Sequence, residues 1–394
     1  MVIIMKNKFI IVILLIILTA AVTFFTINSN YKAINVMNNK SSKKELNKEE
    51  IPKKYMDNGL FKNYYKKAYQ KLKKMSQSEK ISQILLVRYP EENQTEIIKK
   101  YQFGGYLFFA KDFKDKTKED VIKMIADSNK VSKIPILTAV DEEGEIVVRV
   151  SRNKNLRSEA FSSPSELYKS GGFEKIKEDT IEKSNLLKSL GINLNLAPVV
   201  DVSTSPSDYM YKRSLQEDAK TTAKFSSIVI ETSKESGVSY TLKHFPGYGN
   251  NIDTHSGSSI DTRTKEEIEN NDILPFKSGI KNKAEAILFS HNIVTSMDKN
   301  NPASLSKTLH DYLRNNLNFS GVIITDDLDM GAVKNIENKN VLSLLAGNDL
   351  LISTDYEESI KEIRNAIDNN TLDQETLDEH VLRVLAWKYY KKLL

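Results

Sequence analysis

Eight short apolar runs, at 84–87, 106–109, 136–140, 194–197, 240–242, 286–289, 322–324 and 350–352, constrain this chain more than any other feature. Stretches with apolar residues at helical spacing lie between them, among them 181–190, 222–236 and 309–317, and a further helical segment over 61–74 precedes the first run. Runs that are apolar throughout, rather than alternating, belong to strands covered on both faces, as in a parallel sheet flanked by helices. The pattern predicts an α/β fold, most economically a single (β/α)8 TIM-like barrel. A doubly wound sheet is the alternative.

A barrel gathers its chemistry at the carboxyl ends of its strands. Asp141 follows the third run and Asp201 lies just beyond the fourth; Lys243 and His244 follow the fifth, Ser290 and His291 the sixth, Thr325 and Asp326 the seventh. Asp and Ser also cap helices, which accounts for part of this placement. The densest stretch is 240–255, Y-T-L-K-H-F-P-G-Y-G-N-N-I-D-T-H. Pro246, Gly247 and Gly249 end any regular element there. The loop that follows carries Asp253 and His255, spaced so that the carboxylate can orient the imidazole and hold a proton on it. Asp-x-His elsewhere marks only a polar turn, so this loop gains its weight from the strand ends around it.

With 394 residues, 40% hydrophobic and only 15 Gly and 9 Pro, the chain can bury a large core, which excludes a disordered or collagen-like protein. Its 57 basic and 52 acidic residues give a net charge of +5, too balanced to argue for a nucleic-acid partner. There is no cysteine, hence no disulfide framework, thiolate zinc site or lipobox cysteine. Lys6 and Lys8 precede an apolar stretch over 9–27 that is long enough to span a bilayer, with the amino terminus inside. The expectation is an uncleaved signal-anchor over 1–27, a flexible polar tether over 28–59 and a catalytic barrel over 60–394. That arrangement places a single-pass protein in the cell membrane with its barrel outside, or a secreted one if the segment is a cleaved signal peptide.

No Walker loop, G-x-S-x-G, Rossmann fingerprint or dense metal-ligand spacing appears, and neither metal nor cofactor is expected. A carboxylate on one strand end and a His with an Asp partner on another loop suit glycosyl transfer to water through a covalent intermediate. Asp326, Asp327 and Asp329 all remain candidates for the carboxylate on these grounds.

From about residue 60 onward the chain resembles the bacterial β-N-acetylhexosaminidases of glycoside hydrolase family 3. The matching motifs come in order: M-S-Q-S-E-K-I-S-Q (75–83), G-G-Y-L-F-F-A (104–110), V-D-E-E-G-E-I-V-V-R (140–149), K-R-S (212–214), K-H-F-P-G with the later D-T-H, and I-T-D-D-L-D-M (324–330). The resemblance implies Asp326 as nucleophile, His255 as general acid/base and Asp253 as its partner. It also implies that Asp141, Arg149, Arg213, Lys243 and His244 hold sugar hydroxyls, and it leaves Asp327 and Asp329 to helix-start capping or loop solvation. Three departures stand out: Tyr248 replaces the usual second His of F-P-G-H-G, Glu145 replaces the second Gly of D-x-E-G-G, and the loop between Gly249 and Asp253 is one residue shorter. The implied activity is that of a retaining exo-β-N-acetylglucosaminidase acting on cell-wall-derived glycans and muropeptides, as a monomer in a single-domain form. A β-glucosidase or β-xylosidase of the same family, or an inactive wall-binding barrel, are the alternatives.

Overall fold

Each of the eight apolar runs becomes a strand, and together they form one all-parallel sheet. In chain order the strands are β1 (Leu85–Arg88), β2 (Gly105–Phe108), β3 (Leu137–Val140), β4 (Leu194–Asn195), β5 (Ser239–Phe245), β6 (Ile260–Asp261), β7 (Ala286–Phe289), β8 (Ile293–Val294), β9 (Val322–Thr325) and β10 (Leu351–Ser353). The sheet order is β10-β1-β2-β3-β4-β5-β7-β9. A parallel bridge from Ile324 to Leu350, with the Thr325 amide donating to the Leu350 carbonyl at 3.1 Å, nearly closes it into a barrel. Every residue of β2, β3, β5, β7 and β9 is buried, which is why these segments read as unbroken apolar runs.

The computed structural model describes residues 51–52, 57–249, 253–254, 257 and 259–394. The chain divides into a unit of residues 1–52 and one of residues 53–394, and the barrel is the second. Among the described residues no helix is long and apolar enough to cross a membrane; the expected membrane segment at 9–27 and most of the tether lie outside them.

Helices form where local signals agree. Ser76 and Glu79 make a capping box that starts the helix Gln77–Gln83, and the Asp218 carboxylate accepts from the Thr221 amide at 2.7 Å to start Ala219–Ser233. The helix expected over 61–74 is the shorter Tyr65–Leu72, entered through a turn. The one expected over 309–317 divides into Lys307–Asp311 and a single wider turn at Tyr312–Asn316. The parallel pair β6–β8 escaped the apolar pattern because each strand is two residues long, too short for any period to register. It joins the loop after β5 to the loop after β7, with the Ile293 amide donating to the Ser259 carbonyl at 2.7 Å.

The closing helix Gln374–Tyr390 packs on Tyr65–Leu72 and Gln77–Gln83, at the amino-terminal end of the strands. There the buried Lys388 ammonium donates to the Gln83 side-chain oxygen at 3.0 Å and to the Gly104 carbonyl, just ahead of β2, at 2.8 Å. Burial depresses its pKa to about 7. The chemistry lies at the other rim.

Candidate active site

At the carboxyl end of β3, Asp141 and Glu143 meet three cations, two of them from other segments. Lys243, the fifth residue of β5, donates from Nζ to Asp141 Oδ1 at 2.8 Å and lies 2.6 Å from Glu143 Oε1. Arg213, from the turn after β4, grips both Glu143 oxygens at 2.9 and 2.7 Å, and Arg149 reaches Asp141 at 3.5 Å. Burial alone would push the Glu143 carboxyl up, but Arg213 and Lys243 outweigh it and hold the carboxyl well below its ordinary range. Burial likewise opposes the charge on Lys243, and Asp141 and Glu143 overcome it and raise that pKa.

The backbone between Asp141 and Arg149 is fixed from inside. The buried Glu142 carboxylate accepts from the amides of Arg149, Val150 and Ser151 at 2.8, 2.7 and 3.1 Å, folding the segment back on itself. Gly144 has φ +133, and a Cβ there would stand 2.2 Å from the Ser162 carbonyl oxygen, so no larger residue fits. Glu145, where the family pattern has its second Gly, adopts φ +49, a left-handed conformation that costs a side-chain-bearing residue about 1–2 kcal/mol.

In β5, Lys243 pairs with Leu288 and Phe245 with Phe289, leaving His244 as an extra bulged residue. Its amide and ring Nδ1 are therefore free to meet Asp201, at 3.2 and 2.7 Å from Oδ2. Asp201 Oδ1 takes the Tyr248 amide at 2.8 Å. Arg213 approaches the other ring nitrogen of His244 at 3.5 Å.

Past His244 the chain turns at Gly247, whose φ is +124 and where a Cβ would stand 2.4 Å from Asp272 Cβ. Tyr248 is buried, and its hydroxyl accepts from the Thr254 amide at 3.0 Å and also bonds the Thr254 hydroxyl. The tyrosine that departs from the family pattern thus ties down Thr254 from within. Asp253 bonds Tyr209, whose ring lies 5.7 Å from that of Tyr248. His255 lies outside the described residues.

The three aspartates after β9 separate clearly. Asp326 faces the barrel mouth; burial would raise its pKa, but His291, His244 and Lys243 lower it, and the Asp327 amide donates to its Oδ1 at 2.9 Å. Asp327 is pushed up to about 6 by burial, and it accepts from the Thr354 hydroxyl at 2.9 Å and the Asp329 amide at 3.0 Å. Asp329 bonds Lys339 at 2.8 Å and the amides of Thr354 and Asp355 at 2.7 and 2.8 Å. The helix-start capping or loop solvation expected for Asp327 and Asp329 is not what these contacts show. They tie the β9 loop to the β10 loop.

A pocket of about 440 Å³ opens at this rim, and Asp326, Asp141, Arg149, Arg213, Lys243 and His244 all line it. Asp253 touches it through Tyr209, which also lines the wall. Glu143 and Asp201 were not expected among the site residues. Glu143 sits inside the D-E-E-G segment, and its neighbours Arg213 and Lys243 are 70 and 100 positions away, so nothing local marked it. Asp201 showed only its strand-end position. Among the described residues no cluster of His, Asp and Glu is arranged to hold a metal ion.

The model of the glycosyl hydrolase family 3 N-terminal domain matches residues 76–387. A beta-hexosaminidase of Glaesserella parasuis is 33% identical over 278 residues, which cover 69% of this chain and 79% of that protein. Beta-hexosaminidase A of Pseudoalteromonas piscicida is 26% identical over 326 residues, 75% of this chain but only 54% of that protein. The solved structure of a glycoside hydrolase family 3 beta-N-acetylglucosaminidase from a Paenibacillus species superimposes with a TM-score of 0.75 at 24% identity, over 81% of this chain and 63% of that one. The chain therefore spans about half to two thirds of the length of some relatives and about four fifths of others.

Proposed function

This chain belongs to glycosyl hydrolase family 3, and on that footing we propose that its barrel is a retaining exo-β-N-acetylglucosaminidase that removes terminal N-acetylglucosamine from cell-wall-derived glycans. The observation that carries the reading is Asp326: one carboxylate, kept ionised by His291, His244 and Lys243, at the floor of a pocket whose walls are hydrogen-bonding side chains. Its neighbour Asp327 is shifted the opposite way, which supports Asp326 as the charged member of the pair. The names of the hexosaminidase relatives support the choice of sugar.

In the first step an Asp326 oxygen bonds the anomeric carbon while the glycosidic bond breaks, and the leaving oxygen takes a proton from His255. In the second, His255 takes a proton from water, and that water displaces Asp326 from the same face, restoring the β configuration. Asp253 orients the imidazole. Asp141, Arg149, Arg213, Lys243 and His244 hold the sugar, with Lys243 and Arg213 held by Glu143 and His244 by Asp201. The apolar stretch at 9–27 is proposed to hold the barrel at the outer face of a membrane, which fractionation of the full chain against one lacking residues 1–27 tests.

The direct test is hydrolysis of a chromogenic β-N-acetylglucosaminide beside the glucoside and xyloside analogues. Turnover is expected on the first, with Asp326→Ala and His255→Ala each lowering kcat on the order of 10³-fold or more. Proton NMR of the released sugar should show the β anomer first. Full activity in Asp326→Ala, a preference for the glucoside, or an α anomer formed first contradicts the reading.

A further inference from the structure

Two tyrosines hold two consecutive residues of the loop that leads to His255. The Tyr248 hydroxyl accepts from the Thr254 amide at 3.0 Å and bonds the Thr254 hydroxyl, and the Tyr209 hydroxyl bonds the carboxylate of Asp253. Their rings lie 5.7 Å apart at an angle of 38°. Tyr248 is fixed independently: its amide donates to Asp201 Oδ1 at 2.8 Å, and its ring packs with Val199 and Met210 in a buried cluster. Met210 directly follows Tyr209, so the turn after β4 is anchored on that same cluster. The residue on the other side, Asp208, accepts from the Ser203 hydroxyl at 3.0 Å.

Tyr209 also bonds Arg213. A guanidinium only donates, so the phenol oxygen accepts there and its own proton goes to Asp253. Partial burial holds the Tyr209 pKa above the ordinary phenol value, which keeps that proton in place. Arg213 is in turn gripped by both oxygens of Glu143 at 2.9 and 2.7 Å. A continuous chain, Glu143 to Arg213 to Tyr209 to Asp253, thus runs from the sugar-holding cluster at the end of β3 to the loop that carries the acid/base. The Tyr209 ring is 36% exposed on the pocket wall, so filling the core does not account for it; its hydroxyl contacts do. A carboxylate has two oxygens, and one held by a fixed hydroxyl gives the other a set direction for an imidazole two residues on.

We propose that Tyr209 is a positioning residue for proton transfer: its hydroxyl, held by Arg213, orients Asp253 and through it the His255 imidazole. The proposal rests on the hydrolase reading above, with Asp253 as the partner of His255.

The test compares Tyr209→Phe, which keeps the ring on Tyr248 and removes only the hydroxyl, with wild type on two aryl N-acetylglucosaminides. Dinitrophenolate leaves without a proton, whereas phenol needs one. The ratio kcat/KM covers only the steps through breaking of the glycosidic bond, so the later use of His255 as a base does not enter. Tyr209→Phe should lose on the order of 10–100-fold in kcat/KM on the phenyl glycoside, and at least tenfold less on the dinitrophenyl one. Asp253→Ala should show the same selective loss, and adding Tyr209→Phe to it should cost no more than about threefold further. Equal loss on both glycosides means that Tyr209 acts on sugar binding through Arg213, and it overturns the proposal. So does no loss on either, or a selective loss that persists in full in the Asp253→Ala background. Failure of the hydrolase reading shows differently, as a wild type that turns over neither glycoside.

Discussion

Glu143 holds two cations in place without being expected to touch a substrate. Replacing it by Gln leaves Arg213 and Lys243 without their shared charge, and breaking a buried pair in this way costs about 3–5 kcal/mol. The midpoint of denaturant unfolding should fall accordingly. The Glu143 carboxyl is held below its unfolded value, so its contribution is complete above that value, about 4.3, and is lost as pH falls below it. The gap between wild type and Glu143→Gln should therefore narrow below about pH 4; a gap that is constant down to pH 2 would mean that the charge is not what stabilises this corner. At this scale the sequence showed residue types but not partners. Asp141, Lys243 and His244 could be found because they sit at strand ends, whereas the choice of Asp326 over Asp327 and Asp329 depended on the resemblance, and the physical distinction among them needed the contacts to Thr354 and Lys339.

The eight barrel strands were legible because each is buried on both faces and leaves an unbroken apolar run. Features that depend on contact were not: the His244 bulge, the two-residue pair β6–β8, and the hydroxyl of Tyr248 on the backbone of Thr254. The closing helix carries a separate prediction through Lys388. Its pKa is depressed to about 7 in the folded chain against about 10.4 unfolded, so the unfolded state binds the extra proton between those values. The cost of burying the ammonium is full below pH 7 and is relieved as pH rises toward 10. Thermal unfolding of wild type and Lys388→Met should show the wild type gaining on the variant between about pH 7 and pH 9. A difference in Tm that does not move with pH would show that Lys388 titrates normally.

For the whole molecule, the barrel separates stability from chemistry. Helix Gln374–Tyr390 and Lys388 lie at the amino-terminal rim, while the pocket lies at the carboxyl-terminal rim, built by segments that follow β3, β4, β5 and β9. Strand ends far apart in the chain converge there because the sheet curls almost to closure, and this is why sequence periodicity revealed the scaffold and the rim while the pairings across the mouth stayed hidden. Asp326 is the carboxylate proposed to bond the sugar. Acid-quenched peptide mass spectrometry of the His255→Ala protein, mixed with an N-acetylglucosaminide whose leaving group needs no proton, tests it most directly, because the second step is then slow. A single added N-acetylhexosamine is expected on the peptide carrying Asp326. A turnover-competent sample with no adduct, or with the sugar on Asp327 or Asp329, would contradict it.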